Sequence, residues 1–332
     1  MAKEADRIAV ACVQPRISLQ DYLSESSFAS LVSRLMNEAT RSMPEGVPRL
    51  VAFPEDFASG LIFAGEESAV GDARTLRGAV ASLVRRHFAG VMGQRLRHRV
   101  GWTRALALYR AADVAGTYMR VFSEAARVHR AYVVAGSALL PRMDPDGKPQ
   151  GSEVFNVSYL FDPAGRVVGA QRKAFLIDME SSENLDLVPA PVEELAAWDT
   201  ELGRLGVAIC FDAFQQPVIE RMDSLNVDIL VQPSANPGPW TREQQEDWLN
   251  GIWTAVCQRG IARYGINPML VGRLLDVEFA GQSAIVCRPS DAGEDTPRGG
   301  YAALPPRPGF VQVARGDAGE EVLVATLPHP RT

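Results

Sequence analysis

The sequence predicts an α/β layered fold. Short apolar runs of strand length alternate, almost from end to end, with longer segments whose apolar residues recur at helical spacing. The chain has 332 residues, of which 46% are hydrophobic and 22% charged, so it can bury a large core without a disulfide or a metal. Because no internal repeat and no long linker interrupts the pattern, we predict a single domain over residues 1–332.

The individual elements follow from the period of the apolar residues. Eight short apolar runs are predicted as strands. They are residues 7–14, 50–53, 132–136, 155–161, 204–210, 228–232, 281–287 and 322–326. Four segments with helical spacing are predicted as helices: residues 28–41, 104–130, 216–225 and 243–264. A tight turn at residues 162–165 predicts a hairpin whose return strand is 166–170.

Two segments depart from this alternation. Residues 60–104 are predicted to be an insertion or lid, and their last part, residues 85–104, contains six arginines with no acidic residue between them. These are Arg85, Arg86, Arg95, Arg97, Arg99 and Arg104. Such a run is most often a solvated helix face, with an anion-facing lid or a subunit contact as the alternatives. Residues 288–332 are predicted to be an extended C-terminal segment, in which the Gly- and Pro-rich stretch 288–315 forms a loop.

Bulk properties exclude several classes of function. The net charge of −6 gives no reason to expect a nucleic-acid partner, and no apolar run is long enough to span a membrane. The four cysteines never form a C-x-x-C pair, and the four histidines have no metal-ligand spacing. We therefore expect no metal and no membrane association. The sparse cysteines and the absence of a signal-peptide pattern predict a cytoplasmic protein.

Three residues stand where predicted strands end, which is where open α/β sheets present functional groups. Cys210 ends an apolar strand, and a nucleophilic cysteine needs a base or a cation nearby. Glu55 follows an apolar strand that Pro54 terminates, so its carboxyl group is expected to have a raised pKa. Lys173 follows the hairpin and could stabilise a thiolate or an oxyanion. Taken singly, each has a commoner explanation in core packing or surface charge.

Together, and in this order, the three motifs resemble the nitrilase superfamily of carbon–nitrogen hydrolases. The matching stretches are Phe53-Pro54-Glu55, Arg172-Lys173-Ala174-Phe175-Leu176 and Gly206-Val207-Ala208-Ile209-Cys210-Phe211-Asp212. Further similarities lie in the opening strand, in the hairpin at residues 155–165 and in the later strand ends at 233–237 and 281–285. The resemblance spans roughly residues 7–327.

The resemblance implies a four-layer αββα sandwich that pairs into a homodimer or higher homo-oligomer. It also implies acyl transfer through a thioester on Cys210. Glu55 would be the general base, and Lys173 with the backbone N–H of Phe211 would stabilise the oxyanion. No cofactor is implied, and the expected partner is a small amide substrate. Many members of the superfamily add a second glutamate after the lysine. Glu180 is our choice for it, with Glu183 as the alternative.

Departures from the family pattern narrow the predicted substrate. Phe211 and Asp212 stand where nitrile-hydrolysing branches place Trp and Glu, which favours an amide. Ala213 and Phe214 replace an arginine that is typical of branches acting on carboxylate-bearing substrates, which predicts a neutral or apolar acyl group. Such an arginine could still come from residues 60–104.

Four further residues are substrate-contact candidates because they lie close in sequence to the catalytic strand ends. Phe57, Phe214 and Trp240 could line the pocket or pack in the core, and Asn236 could orient substrate or cap a turn.

Two other functions fit the same residues: an amide-forming N-acyltransferase, and a catalytically silent binding or scaffold protein on this fold. A serine hydrolase built on Ser283 fails, because residues 281–285 lack the second glycine of G-x-S-x-G.

Overall fold

The architecture consists of two six-stranded sheets that pack face to face, with helices on their outer faces. It comes from a computed structural model that describes residues 6–144, 146–182, 184–291 and 299–331. The strands are β1 Arg7–Gln14, β2 Arg16–Ile17, β3 Arg49–Phe53, β4 Tyr132–Met143, β5 Pro149–Phe161, β6 Val167–Arg172, β7 Ala197–Thr200, β8 Gly203–Val207, β9 Ile229–Val231, β10 Ser234–Ala235, β11 Tyr264–Asn267, β12 Met269–Leu274, β13 Val277–Phe279, β14 Ala284–Cys287, β15 Phe310–Val313 and β16 Glu321–Pro328. The helices are α1 Glu25–Arg41, α2 Glu67–Val70, α3 Leu76–Arg86, α4 Phe88–His98, α5 Trp102–His129, α6 Gln216–Ser224 and α7 Arg242–Trp248.

Each large sheet has three parallel strands at its centre. The first sheet has the order β16-β1-β3-β4-β5-β6, in which β1, β3 and β4 are parallel. The second has the order β15-β14-β11-β9-β8-β7, in which β8, β9 and β11 are parallel. A small third sheet joins β10, β12 and β13, with β2 paired to β12. Parallel strands end at the same edge of a sheet, so the residues that follow β3 and β8 emerge at defined edges.

Strand β1 shows why the layers form. Its residues Ile8, Val10 and Cys12 are buried in the core between the two sheets. The intervening Ala9 and Ala11 belong to the outer core beneath α1 and α5. Because side chains alternate between the faces of a strand, one apolar strand serves both layers. The second sheet is covered likewise, since the α-carbon of Gly206 in β8 faces Met222 of α6. The expected four-layer αββα sandwich is confirmed.

Local sequence signals set the element ends where no distant contact intervenes. Strand β1 has the predicted bounds. Helix α1 begins three residues before the prediction because Ser24 caps it, with its hydroxyl accepting a hydrogen bond from the Ser27 N–H at 3.0 Å. Its buried side chains, among them Phe28, Leu31, Val32 and Leu35, recur at helical spacing.

The helix predicted over residues 243–264 is wrong as a continuous element. Helix α7 ends at Trp248, a separate π-helical turn spans Thr254–Gln258, and Tyr264 already belongs to β11. The break has a tertiary cause. The side chain of Gln232 lies against Gly251 and accepts the backbone N–H of Ile252 at 2.9 Å, which diverts that amide from a helical hydrogen bond.

The predicted loop 288–315 also needs correction, because Phe310–Val313 pairs with β14 as strand β15. Residues 292–298 lie outside the described part of the chain.

The segment 60–104 is largely helical, and three of its arginines have specific partners. Arg86 pairs with Glu66 at 3.1 Å, and Arg104 pairs with Asp186 at 2.6 Å. Arg95 lies over the Trp102 ring at 4.7 Å from its centroid. No helix among the described residues is both long and apolar enough to cross a membrane.

Candidate active site

Glu55 is held in a fixed orientation just beyond strand β3. Its side chain is 2% exposed, and both of its carboxylate oxygens accept hydrogen bonds. Oε1 accepts from Lys173 Nζ at 2.7 Å and from Asn156 Nδ2 at 2.9 Å. Oε2 accepts the backbone N–H of Ala235, in β10 of the small third sheet, at 3.2 Å. The glutamate therefore links the first large sheet to the third sheet.

Lys173 follows β6 and is fully buried. Its ammonium group donates to Glu55 Oε1 at 2.7 Å and to Glu180 Oε2 at 2.6 Å. A lysine ammonium has three donor hydrogens, so two remain engaged with carboxylates and the third is available to another acceptor. This is the arrangement needed by a cation that must also stabilise a developing negative charge.

Glu180 lies in a short 3-10 turn after the lysine loop and is 3% exposed. Besides Lys173, it accepts Asn156 Nδ2 at 2.8 Å and the Ile177 N–H at 3.0 Å. The sequence left Glu180 and Glu183 as alternatives. The structure brings Glu180 into the cluster, and Glu183 lies outside the described residues.

Asn156 is a site residue that the sequence analysis did not single out. It is 1% exposed in β5, and its amide nitrogen bridges the carboxylates of Glu55 and Glu180. The available signal was an amide side chain within the apolar run Phe155–Val157. A buried polar side chain must be hydrogen-bonded, which makes such a position a candidate for a polar network.

Cys210 begins a 3-10 turn three residues after β8 ends. Its backbone has φ of 48°, in the left-handed region that costs a non-glycine residue roughly 1–3 kcal/mol. The strain is held by the surrounding structure, since the Cys210 N–H donates to the Pro233 carbonyl at 2.8 Å. Such strained positions concentrate at functional sites.

The three groups shift each other's pKa values. Burial raises the pKa of Glu55 to about 8, while Lys173 opposes the rise and Glu180 adds to it. Burial and the charge of Glu55 raise the pKa of the Cys210 thiol well above its usual value, and Lys173 acts in the opposite direction. Burial by itself would lower the pKa of Lys173, but Glu55, Cys210 and Glu180 outweigh it and raise that pKa. A neutral thiol, a cationic lysine and a carboxyl group that titrates near neutrality thus share one site.

Asp212 fixes the loop that carries the lysine. It is fully buried, and its carboxylate accepts the N–H groups of Ala174 at 3.1 Å and of Phe175 at 2.7 Å. Burial raises its pKa to about 7, against the lowering effect of these two amides. Because Asp212 follows Cys210 by two residues, it connects the nucleophile's turn directly to the lysine loop.

The predicted substrate contacts divide into two groups. Phe57 is fully buried with its ring 5.0 Å from that of Phe53, and Trp240 is 6% exposed, donating to Gln282 Oε1 at 3.1 Å. Both placements favour the core-packing alternative.

Asn236 donates to the carbonyls of Gly238 at 3.3 Å and Ala280 at 3.1 Å, which favours the turn-capping alternative. Phe211, in contrast, is 39% exposed beside the nucleophile, with its ring 6.2 Å from the half-buried Phe214. An exposed aromatic ring at this place is available to an apolar substrate group.

Two other chemistries find no support in the described residues. Among them, no group of three or more His, Cys, Asp and Glu side chains could hold a metal ion. Ser283 is fully buried, and its hydroxyl accepts the Met269 N–H at 2.8 Å in a structural role.

Comparison with solved structures supports the same fold. An amidase from Nesterenkonia sp. AN1, in a mutant whose active-site cysteine carries the acetamide moiety of fluoroacetamide, superposes with a TM-score of 0.61 at 14% identity. The match covers 99% of this chain and 93% of that chain. A nitrilase-superfamily protein from Saccharomyces cerevisiae superposes with a TM-score of 0.57 at 19% identity, covering 97% and 90% of the two chains.

Sequence relatives and a family model lead to the assignment. Human pantetheinase is 30% identical over 93 residues, which is 28% of this chain and only 17% of the pantetheinase. An omega-amidase from Danio rerio is 27% identical over 133 residues, 38% of this chain and 44% of the relative. The chain therefore aligns with less than half the length of either relative. The model of the carbon-nitrogen hydrolase family matches residues 9–287, well over half of the sequence. The chain belongs to the carbon-nitrogen hydrolase family.

Proposed function

We propose that this protein hydrolyses a linear amide through a thioester on Cys210. The observation that carries the proposal is the buried contact of Lys173 with both Glu55 and Glu180, beside a cysteine held in a strained turn. Burying a lysine with two carboxylates costs more desolvation free energy than packing apolar side chains would, which favours a functional role for the cluster. Hydrolysis of an amide through a cysteine thioester uses a nucleophile, a base and a hydrogen-bond donor for the developing oxyanion.

The proposed reaction begins when Glu55 takes the thiol proton and the Cys210 sulfur attacks the amide carbon. A base whose pKa lies near 8 is well matched to this transfer at neutral pH. The tetrahedral oxyanion accepts hydrogen bonds from Lys173 and from the backbone N–H of Phe211. Glu55 returns the proton to the departing amine, and the thioester forms. Glu55 then activates a water molecule, which attacks the thioester and releases the acid.

The substrate is proposed to carry a neutral or apolar acyl segment next to the cysteine. The exposed Phe211 ring and the neighbouring Phe214 support this, since neither carries a charge to bind a carboxylate. An apolar cavity whose wall includes Asp56, the residue after Glu55, is also lined by Leu106, Leu274 and Phe279. None of the six arginines of residues 85–104 lies on its described wall, and the arginine that does, Arg110, is paired with Glu66 and Asp113.

Residues 60–104 are proposed to cover the site. Leu76 and Val80 of helix α3 line the same cavity, which supports a covering role. A homodimer and a cytoplasmic location are likewise proposals that rest on the sequence and the family resemblance.

Cysteine reactivity tests the proposed nucleophile. Wild type, Cys210→Ala and Lys173→Ala would be treated briefly with limiting iodoacetamide and measured by intact-protein mass spectrometry and peptide mapping. We expect fastest modification at Cys210, slowed when Lys173 is removed. The buried Cys12 is an internal control, because burial raises its pKa with no lysine contact to oppose it. Equal reactivity at Cys210 and Cys12 would count against an activated nucleophile.

Substrate choice and acceptor choice need a second assay. We expect hexanamide to be turned over in preference to a dicarboxylate monoamide, and Cys210→Ala to abolish turnover. A clear preference for the acidic amide would contradict the apolar acyl assignment. Adding hydroxylamine distinguishes hydrolysis from acyl transfer, because hydroxamate formation that far exceeds release of the acid would favour the N-acyltransferase alternative. Normal Cys210 reactivity with no turnover of any amide would point to the silent-scaffold alternative.

A further inference from the structure

An apolar cavity includes on its wall Asp56, the residue that follows Glu55. Its volume is about 100 Å³, and roughly 10–15 Å³ holds one water-sized group, so several heavy atoms of a ligand fit. Helix α5 contributes Leu106 to its wall, and the β12–β13 hairpin contributes Leu274 and Phe279. Two other lining residues are chain neighbours of the site: Asp56 follows Glu55, and Met179 precedes Glu180. Two residues of the wall are therefore next in the chain to the carboxylates, although Glu55, Lys173 and Cys210 do not themselves line the cavity.

Asp56 is the carboxylate on this wall, and only one of its two oxygens is hydrogen-bonded to a described residue. Its Oδ1 accepts the Ser59 hydroxyl at 2.6 Å, whereas Oδ2 has no hydrogen-bond or ion-pair partner among the described residues. The other charged lining residue, Arg110, has partners for its two terminal nitrogens, while its buried Nε has no hydrogen-bond partner in the described part of the chain. Arg110 donates to the Ala64 carbonyl at 2.6 Å and pairs with Glu66 at 3.3 Å and Asp113 at 3.2 Å.

The backbone and the charge balance set Asp56 apart from an ordinary turn residue. Its φ is 57°, a second left-handed non-glycine position in the site besides Cys210. The carboxyl groups of Glu55, Asp56 and Glu180 lie together, with Lys173 as the cation acting on all three. The site thus has more acidic than basic groups, in surroundings where a low dielectric strengthens charge interactions.

We propose that Asp56 is a specificity-determining residue that binds an ammonium group at the end of the substrate's aliphatic acyl chain. The inference rests on the proposed amide hydrolysis at Cys210. The chain of such an ω-amino amide packs against Leu106 and Leu274, and its ammonium donates to the free oxygen of Asp56. Lys173 hydrogen-bonds Glu55 and Glu180 and not Asp56, so the substrate's ammonium supplies a charged donor to the oxygen of Asp56 that no described residue hydrogen-bonds.

The test compares 6-aminohexanamide with heptanamide, in which a methyl group replaces the ammonium, together with shorter and longer homologous pairs. Wild type is expected to favour the ammonium member of at least one pair by about 10–100-fold in kcat/KM, the usual strength of a hydrogen bond between charged groups. Asp56→Asn is expected to reduce that ratio to within about threefold of one, because asparagine keeps the Ser59 hydrogen bond but lacks the charge. The ratio cancels any loss of activity common to both substrates.

Two control variants separate charge from structure. Ser59→Ala removes the hydrogen bond to Asp56 and keeps the carboxylate, so the preference for ammonium should persist. Asp223→Asn removes a similar charge on the exposed face of α6 and should leave the ratio at its wild-type value. Circular dichroism and thermal melting check that each variant folds.

The outcomes separate this inference from the function on which it rests. Turnover of alkyl amides with no preference for ammonium in any pair, or a preference that survives Asp56→Asn, overturns the role of Asp56 and leaves amide hydrolysis standing. If no amide is turned over and no acyl adduct forms at Cys210, amide hydrolysis fails, and the role of Asp56 fails with it.

Discussion

Replacing Lys173 with methionine removes the cation that contacts both Glu55 and Glu180. The two side chains have similar length, so the change deletes charge and hydrogen bonds with little loss of volume. Wild-type Lys173 donates at 2.7 Å to Glu55 and at 2.6 Å to Glu180, and none of the three side chains is appreciably exposed. Removing one partner from a buried ion pair costs about 3–5 kcal/mol of unfolding free energy.

The size of this cost should depend on pH. The pKa of Glu55 rises from 4.5 to about 8 in the folded protein, so its contribution to stability is complete below pH 4.5 and is lost as the pH rises. In the wild type this decrease in stability stops near pH 8, where Glu55 ionises beside Lys173. In Lys173→Met the pKa of Glu55 is higher still, so stability keeps decreasing above pH 8. The unfolding free energy of Lys173→Met should therefore lie about 3 kcal/mol below that of the wild type at pH 7. This difference should grow by up to about 1.4 kcal/mol per pH unit above pH 8.

Urea unfolding followed by tryptophan fluorescence at fixed protein concentration, at pH 7 and pH 9, would measure both quantities. Three of the five tryptophans, Trp240, Trp248 and Trp253, are buried and should report on unfolding. Lys148→Met is the matched control, because Lys148 is exposed and its change should cost little at either pH. A cost below about 1 kcal/mol that is equal at both pH values would refute the electrostatic account of this cluster.

Three further predictions concern residues in and around the candidate active site. The kcat/KM for an amide substrate should rise with pH through a value of about 8, because Glu55 must lose its proton to act as base; a flat profile from pH 6 to 9 would contradict this role. Asp212→Ala should lower the unfolding free energy by roughly 2–6 kcal/mol, since it leaves two buried amides unpaired, and Asp212→Asn should cost less. Gly136→Ala should destabilise by more than Gly147→Ala in thermal melts. Both glycines have φ near 75°, but a Cβ at Gly136 would lie 2.3 Å from the Pro54 carbonyl oxygen, whereas one at Gly147 meets nothing within 4 Å.

The local periodicity of apolar residues in the sequence determined most of the strands and helices that form the layers. Strand β1 and helix α1 follow from residues that are neighbours along the chain, because alternation and capping are local properties. The three motifs around Glu55, Lys173 and Cys210 could also be identified from the sequence, since each residue stands where a predicted strand ends and a functional group can emerge. Their order along the chain was sufficient to indicate the family before any contact was known.

Only the tertiary structure decided how distant residues meet. Glu180 joins the cluster through contacts with Asn156 of β5 and with Lys173, and no sequence spacing encodes those contacts. The break after α7 depends on Gln232, which follows β9 of the second sheet. Its side chain accepts a hydrogen bond from the Ile252 N–H, which would otherwise donate within a helix. The roles of Phe57 and Asp56 were likewise undecided along the chain. Residues one position apart fall on opposite sides of the same turn, so Phe57 enters the core while Asp56 faces the cavity. Burial and orientation are set by packing between segments, and that packing exists only once the chain has folded.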